Sequence, residues 1–239
     1  MLQHSQNPLL VFDLDGTLAE TAGDLVRSLN FIMDRVGLPP VSLENGRKWV
    51  GQGARSLIQA GYRQAGRSIE GAELEELFHA FLAYYEANIA VESFLFPGVE
   101  ASLQRFASAG WDLAVCTNKV EGASVRLLEA LGIAKRFRAI CGQDTFQVDG
   151  RKISKPDPRH VLMTIERAGG DWRRAIMVGD SSFDIEAAKS AGVRVVAVDF
   201  GYSEEPAVKF APDRVISHFD HLWGAVADLA PELRSQAGA

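Results

Sequence analysis

The sequence is poor in cysteine. Only two cysteines occur among its 239 residues. They are Cys116 and Cys141, and each lies in an apolar run that is typical of a strand. A small secreted scaffold held together by disulfides has many more. We therefore expect both side chains to be reduced thiols in the core of a cytoplasmic protein.

The sequence also lacks long apolar runs and blocks of like charge. A membrane-spanning helix needs about 20 consecutive apolar residues, so we expect no membrane partner. The net charge is −6, and without a basic cluster we expect no nucleic-acid partner. The first residues, MLQHSQNP, lack the basic and apolar regions of a signal peptide, which again favours a cytoplasmic location.

The hydrophobic pattern predicts an α/β fold. An apolar run at residues 9–12 is followed by a largely helical stretch that includes AELEELFHAFLAYYEAN. Beyond Pro97 the apolar strands WDLAVCT, RAICG, AIMVGD and VRVVAVD alternate with helical runs. Such alternation indicates a doubly wound parallel-sheet (Rossmann-like) core with helices on both faces. We assign residues 1–19 and 97–239 to this core and residues 20–96 to an inserted α-helical domain.

Polar residues follow three of the predicted strands at the point where each strand ends. They are Asp13, Asp15, Thr117, Asn118 and Asp180, with Asp184 one helical turn later and Lys155 in a loop before a helix. Each motif alone has a simpler explanation, such as a turn or a helix cap. In a doubly wound sheet, however, ligands bind beyond the carboxyl ends of the strands. The combination therefore predicts one functional site at that edge.

The chemistry of these residues fits phosphoryl transfer. Clustered carboxylates repel one another, and a hard cation such as Mg²⁺ prefers oxygen ligands and offsets that repulsion. A carboxylate can attack phosphorus to form an aspartyl-phosphate, and a second carboxyl group can protonate the leaving alkoxide. A lysine and a hydroxyl group can hold the phosphoryl oxygens as charge develops.

Four ordered motifs, DLDGTL (13–18), CTN (116–118), Lys155-Pro156 and GDSSFD (179–184), resemble those of the haloacid dehalogenase-like hydrolase superfamily. This resemblance implies Asp13 as nucleophile and Asp15 as general acid/base. It implies Thr117 and Lys155 as phosphoryl ligands, and we predict Asn118 as a further substrate-binding residue. Mg²⁺ would be bound by Asp13, Asp180 and the backbone carbonyl of Asp15, with Asp184 supporting the metal site or orienting Lys155. The insertion at 20–96 would be the cap domain that closes over small substrates.

Two weaker motifs, RKWVGQGARSLI (47–58) and GYSEE (201–205), resemble the phosphoglycolate phosphatase branch of that superfamily. The resemblance implies a phosphatase that acts on a small phosphomonoester, 2-phosphoglycolate in this branch. Backbone N–H groups from Gly51 to Ala54 can bind a carboxylate at a helix N-terminus. Gly51, Gly53 and Arg55 are the candidate substrate-binding residues of the insertion.

Other functions remain to be weighed. A dehalogenase has no need for the second carboxyl group of Asp15, and a binding module on the same fold would lack at least one of the catalytic residues. A phosphomutase acting on a sugar phosphate, similar to β-phosphoglucomutase, keeps both aspartates. Such mutases carry an arginine in the cap loop, where an approximate alignment puts Gly53, with Arg55 two residues later. We expect a monomer or a homodimer.

Overall fold

The computed structural model describes residues 7–203 and 205–234. Most of the N-terminal stretch considered above, and Glu204 of the GYSEE motif, lie outside these ranges. The strands within them are β1 (Leu9–Phe12), β2 (Ala19–Glu20), β3 (Phe94–Leu95), β4 (Asp112–Cys116), β5 (Ala139–Cys141), β6 (Gln147–Val148), β7 (Arg151–Lys152), β8 (Ala175–Gly179), β9 (Arg194–Val198) and β10 (Arg214–Ile216).

The helices in the same ranges flank these strands. They are α1 (Ala22–Arg35), α2 (Leu43–Arg47), α3 (Ala54–Gln64), α4 (Gly71–Ala87), α5 (Val99–Ser108), α6 (Glu121–Ala130), α7 (Pro158–Arg167), α8 (Ser182–Ser190), α9 (Leu222–Leu229) and α10 (Pro231–Arg234). Short 3₁₀ helices occur at Ala134–Arg136, Trp172–Arg174, Ala207–Phe210 and Phe219–His221. No helix in the described ranges is both long and apolar enough to span a membrane.

Six strands form one parallel sheet in the order β10-β9-β8-β1-β4-β5. This confirms the predicted doubly wound core, because consecutive strands are joined through helices on the two faces. Side chains of β1 alternate between two hydrophobic clusters. Leu10 and Phe12 pack in one cluster with α5, α6 and α9. Leu9 and Val11 pack in the other with α7 and α8. Burial on both faces explains why β1 is apolar at every position.

The two cysteines lie side by side in this sheet. Cys116 at the end of β4 is the register partner of Cys141 at the end of β5. Both are buried and have free thiols. Burial raises the pKa of Cys116 to about 12 and that of Cys141 to about 11, so both stay protonated and unreactive near neutral pH.

The helices α1 to α4 lie between β2 and β3, within the insertion at residues 20–96. The two short strands pair antiparallel, with Ala19 opposite Leu95 and Glu20 opposite Phe94. Both connections to the core are therefore hydrogen-bonded to each other. The strand at Phe94–Leu95 lies in the segment predicted to be helical, and two residues are too few to show alternation.

A third hydrophobic cluster fills the insertion. It contains large side chains of α1, α3 and α4, among them Leu29 and Phe81, and it also includes Ala123 and Tyr202 of the core. The insertion thus packs onto the end of α6 and onto the loop after β9, directly above the carboxyl ends of the central strands.

Candidate active site

The central strands bring three of the predicted motifs together. The sheet order places β1 between β8 and β4, so the residues that follow these strands meet at one edge. The backbone N–H of Asp13 donates to the carbonyl of Val178 at 2.9 Å, and that of Thr117 donates to Cys141 at 3.0 Å. Both motifs are therefore fixed by hydrogen bonds that continue the sheet.

Three aspartates form an acidic cluster at this edge. One carboxylate oxygen from each of Asp13, Asp180 and Asp184 lies within 4.8 Å of the others, and all three side chains are buried. The Asp180 carboxylate is held in place by two donors, since Thr17 Oγ1 lies 2.8 Å from Oδ1 and the N–H of Tyr202 lies 2.8 Å from Oδ2.

Glycine allows the backbone to approach this cluster. Gly16 has a φ of +87°, and a Cβ there would lie 2.7 Å from Oδ2 of Asp180. A Cβ at Gly179 would lie 2.4 Å from the carboxyl carbon of Asp184. Real Cβ atoms do not come this close to other heavy atoms, so the glycines of DLDG and GDSSFD are needed for the acidic cluster to form.

Lys155 supplies a cation to the acidic cluster. Its Nζ lies 2.8 Å from Oδ1 of Asp13 and 2.5 Å from Oδ1 of Asp184. Asn118 fixes the backbone of Lys155 from both sides, because its amide donates to the Lys155 carbonyl at 3.0 Å and accepts from the Lys155 N–H at 2.9 Å. The structure thus assigns Asn118 a role in positioning Lys155.

The N-terminus of α8 orients Asp184. Its Oδ2 accepts hydrogen bonds from the backbone N–H of Ser181 at 3.0 Å and from the Ser181 hydroxyl at 2.7 Å. This is a capping box, in which the side chain at the third helical position binds back to the N-cap residue. One oxygen of Asp184 therefore caps the helix while the other contacts Lys155.

Burial controls the charge of the acidic cluster. It raises the pKa of Asp13 to about 7 and that of Asp180 to about 8. Burial alone would lower the pKa of Lys155, but the carboxylates of Asp13 and Asp184 outweigh it and hold that pKa above its usual value. One ammonium group thus faces three carboxyl groups, and burial favours the protonated forms of two of them. An all-oxygen donor set fits a hard divalent cation, whose charge would favour the ionised forms.

The carboxylate of Asp15 lies outside the acidic cluster, although Asp15 is one of the predicted metal ligands. Both of its oxygens contact the Nζ of Lys119, at 3.0 and 2.9 Å, and Thr21 Oγ1 donates to Oδ1 at 2.7 Å. The implied role of its backbone carbonyl at a metal stays a prediction. Lys119 was missed by the sequence analysis. Its position directly after Thr117 and Asn118 at the end of β4 is the signal that indicates it.

A cavity separates this edge of the core from the insertion. The core contributes polar residues and the insertion contributes mainly apolar ones. The residues that line it are Asp13, Asp15, Leu25, Val50, Gly51, Gly53, Ala54, Leu57, Phe81, Leu82, Tyr85, Thr117, Asn118, Lys119, Val120, Ala123 and Gln143. Such a partly enclosed, mostly apolar cavity with a few convergent polar groups is typical of a small-molecule site.

The candidate residues of the insertion divide into two groups. Gly51 and Gly53 line the cavity, next to the N-terminus of α3. Arg55 does not line it. Its guanidinium forms a two-point ion pair with Glu75, with distances of 2.6 and 2.7 Å, and lies 3.5 Å from the ring centroid of Phe78. The structure therefore does not bring Arg55 to the substrate site, because a partner within the insertion holds it.

Comparisons with known proteins point to one family. The family model for haloacid dehalogenase-like hydrolases matches residues 10–198. A phosphoglycolate phosphatase of Mesorhizobium japonicum is 48% identical over 97% of this chain and 98% of its own length. A phosphoglycolate phosphatase of Agrobacterium fabrum is 44% identical over 95% of both chains.

A solved structure is also similar over nearly its full length. It is described as a predicted phosphoglycolate phosphatase from Haemophilus somnus, and it superposes with a TM-score of 0.81 at 32% identity. The alignment covers 92% of this chain and 98% of that one. The extent of these matches shows that the chain belongs to the haloacid dehalogenase-like hydrolases and resembles their phosphoglycolate phosphatases.

Proposed function

We propose that this hydrolase is a Mg²⁺-dependent phosphatase that cleaves 2-phosphoglycolate to glycolate and phosphate through an aspartyl-phosphate. Membership of the family and the named relatives make the chain a phosphoric monoester hydrolase. The aspartyl-phosphate mechanism in this proposal is supported mainly by one observation. Two carboxylates in different environments, Asp13 beside Lys155 and Asp15 beside Lys119, line the same cavity.

Asp13 is the nucleophile in this proposal. Burial raises the pKa of its carboxyl group to about 7, and the adjacent ammonium of Lys155 opposes that shift and favours the ionised form that attacks phosphorus. Lys155 and the hydroxyl of Thr117 then hold the phosphoryl oxygens as negative charge develops on them. The buried position of Thr117 at the end of β4 keeps this hydroxyl at the sheet edge.

Asp15 is the general acid and base. It protonates the leaving alkoxide when the aspartyl-phosphate forms, and it then accepts a proton from the water that hydrolyses the intermediate. Thr21 and Lys119 fix its carboxylate. A group that is held so firmly keeps one orientation through both steps.

Asp13 and Asp180 would hold Mg²⁺, together with the backbone carbonyl of Asp15, and Asp184 would support the site. When bound, the ion supplies positive charge that stabilises the phosphoryl group and offsets the repulsion within the acidic cluster. The donors of Thr17 and Tyr202 orient the Asp180 carboxylate for this role.

The insertion at residues 20–96 is the cap domain in this proposal. The loop at Gly51 and Gly53 faces the core across the cavity, and it leads into the N-terminus of α3, where backbone N–H groups favour an anion. The apolar side chains around it leave little polar surface for a sugar, so the cavity suits a two-carbon acid better than a hexose.

A substrate panel tests the proposal. The purified protein is assayed with Mg²⁺ against 2-phosphoglycolate, ethyl phosphate, glucose 6-phosphate, β-glucose 1-phosphate, glycerol phosphates and nucleotides. We expect the highest kcat/KM for 2-phosphoglycolate, and loss of turnover after EDTA that added Mg²⁺ restores. A higher kcat/KM for a hexose phosphate, or turnover that survives metal removal, would contradict it.

The same assay separates a phosphatase from a phosphomutase. With β-glucose 1-phosphate, a mutase forms glucose 6-phosphate, whereas a phosphatase releases inorganic phosphate. The ion pair between Arg55 and Glu75 leaves no arginine of that loop at the cavity to hold a second phosphate. We expect inorganic phosphate as the only phosphorus-containing product.

A further inference from the structure

Lys119 is a buried ammonium group at the cavity. It lies in the loop between β4 and α6, and its side chain is 7% exposed. Among the described residues that line the cavity it is the only cation. Its Nζ lies 2.9 Å from Oδ2 of Asp15, and this ion pair stabilises the ammonium form. Lys119 therefore carries a positive charge into the space where the substrate binds.

The arginines of the RKWVGQGARS segment do not supply this charge. Arg55 is paired with Glu75, and Arg47 is paired with Glu20. Neither arginine lines the cavity. With Lys155 beside Asp13 assigned to the phosphoryl group, Lys119 is the cation that lines the cavity and can meet a second anionic group of the substrate.

Tyr85 of α4 adds a second polar group beside Lys119. Its side chain lines the cavity and is almost completely buried. The Nζ of Lys119 lies 4.7 Å from the centroid of its ring. Its hydroxyl forms no well-aligned hydrogen bond within the described part of the chain, and the ammonium group of Lys119 is the polar group that interacts with it. Buried hydroxyl groups are normally hydrogen-bonded, so the Tyr85 hydroxyl and Lys119 together can serve one ligand.

We propose that Lys119, together with the Tyr85 hydroxyl, binds the carboxylate of the substrate. This inference rests on the proposed function, because it names the residues that distinguish 2-phosphoglycolate from a phosphate ester without a carboxylate. An ammonium group has three N–H donors. It can therefore remain with Asp15 and also donate to a second carboxylate. In 2-phosphoglycolate one methylene group joins the carboxylate to the phosphate ester oxygen. Its two charged ends can therefore lie within one small cavity that both Asp13 and Lys119 line.

The test compares two substrates that differ only in this carboxylate. The kcat/KM values for 2-phosphoglycolate and ethyl phosphate are measured for the wild type, Lys119→Gln, Tyr85→Phe and the control Lys135→Gln. The control makes the same charge change at an exposed lysine outside the cavity. A hydrogen bond to a charged group corresponds to about 10-fold or more in affinity.

We expect the wild type and the control to prefer 2-phosphoglycolate by about 10-fold or more. In Lys119→Gln this preference falls to near unity, and in Tyr85→Phe it falls in part, mainly through KM. If Lys119→Gln loses activity on both substrates by the same factor, Lys119 serves only to hold Asp15 and the inference is wrong. If the wild type itself does not prefer 2-phosphoglycolate, the proposed function fails instead.

Binding of unreactive analogues covers the case in which Lys119→Gln is inactive or does not fold. The analogues are 3-phosphonopropionate, which carries the carboxylate, and propylphosphonate, which does not. Titration calorimetry with Mg²⁺ should show tighter binding of the carboxylate analogue to the wild type, and a smaller difference for Tyr85→Phe. An unchanged difference in Tyr85→Phe, which keeps the ring and the Asp15 ion pair, would overturn the proposal.

Discussion

At the residue scale, Asp13 and Asp180 share the acidic cluster but differ in role, and a pair of isosteric variants separates them. Asp13→Asn removes the nucleophile, so we expect no turnover at any Mg²⁺ concentration. Asp180→Asn weakens metal binding, because its amide also presents an N–H₂ group toward the donors of Thr17 or Tyr202. High Mg²⁺ should restore part of its rate. A Mg²⁺ titration of both variants measures this, and substantial activity of Asp13→Asn would exclude the covalent mechanism.

Asp15 gives a second residue-scale prediction. General acid/base catalysis contributes about 10²- to 10⁴-fold, so Asp15→Asn should lose a factor of that order on 2-phosphoglycolate. It should lose less on p-nitrophenyl phosphate, whose leaving group needs less protonation. The variant also leaves Lys119 without its carboxylate partner, so the comparison is repeated with ethyl phosphate in place of 2-phosphoglycolate, because ethyl phosphate carries no carboxylate for Lys119 to bind. The ratio of the two losses therefore reports proton transfer, and equal losses would assign Asp15 another role.

The same residues show what the sequence predicts at this scale. The strand-end positions of Asp13, Thr117 and Asp180 follow from the pattern alone, because parallel strands put their carboxyl ends at one edge. The hydrogen-bond and ion-pair partners of these side chains do not follow from the pattern. The pairing of Asp15 with Lys119 spans 104 positions, and it depends on the packing of two loops for which the sequence carries no periodic signal.

At the element scale, α7 contains a buried histidine whose charge is coupled to folding. The Nε2–H group of His160 donates a hydrogen bond to the Gly142 carbonyl at 3.1 Å. Burial, with a further contribution from the charge of Lys155, lowers its pKa to about 4. The unfolded chain binds this proton near pH 6.5. Between pH 6.5 and pH 4 the unfolded chain therefore binds a proton that the folded protein does not bind. The free energy of unfolding is highest above pH 6.5 and decreases as the pH falls toward 4.

This coupling predicts the pH dependence of a variant. Between pH 7 and pH 5, the free energy of unfolding of the wild type should fall by about 2 kcal/mol relative to that of His160→Gln. Urea denaturation of both proteins from pH 5 to pH 8 measures the difference. Above pH 7 the two profiles should be parallel, which serves as the internal control. Profiles that remain parallel down to pH 5 would contradict the predicted burial of a neutral imidazole.

The elements also differ in how well the sequence predicts them. The strands β1, β4, β8 and β9 are apolar over four or five residues, and buried parallel strands of that length are readily recognised. The edge strand β10 has two exposed residues out of three, so no apolar run marks it. The pairs β2–β3 and β6–β7 have two residues in each strand, and tertiary context alone defines them.

At the scale of the whole molecule, a small network joins the insertion to the core. Arg47 at the end of α2 forms an ion pair with Glu20, donates to the carbonyl of Phe200 at 3.3 Å, and lies 4.8 Å from the ring centroid of Tyr202. The Tyr202 hydroxyl donates to Glu20 at 2.7 Å and accepts from the Thr21 N–H at 2.6 Å. These contacts cross from the insertion to the loop after β9 and meet at β2.

Because β2 and β3 are the two connections between the insertion and the core, this network stabilises the closed arrangement. The carboxylates that the substrate must reach are almost completely buried beneath the insertion. We therefore predict a rigid rotation of the insertion about β2 and β3, open without ligand and closed with a phosphate analogue. Gly98, with a φ of +84°, is the glycine next to this pivot.

Spin-label distances measure the motion in solution, and the two buried cysteines do not compete for the label. One pair, Ser68→Cys with Lys135→Cys, spans the insertion and the core, and a control pair, Glu44→Cys with Ser68→Cys, lies within the insertion. We expect the distance distribution of the first pair to be broad without ligand and to become narrower with Mg²⁺ and orthovanadate. The distribution of the control pair should stay the same. Adding Arg47→Ala should broaden the ligand-free distribution further, because it removes the contacts to Glu20 and Phe200. If the first distance is the same with and without ligand, the insertion does not open as a rigid body, and the substrate must enter by local movement of the Gly51 loop instead.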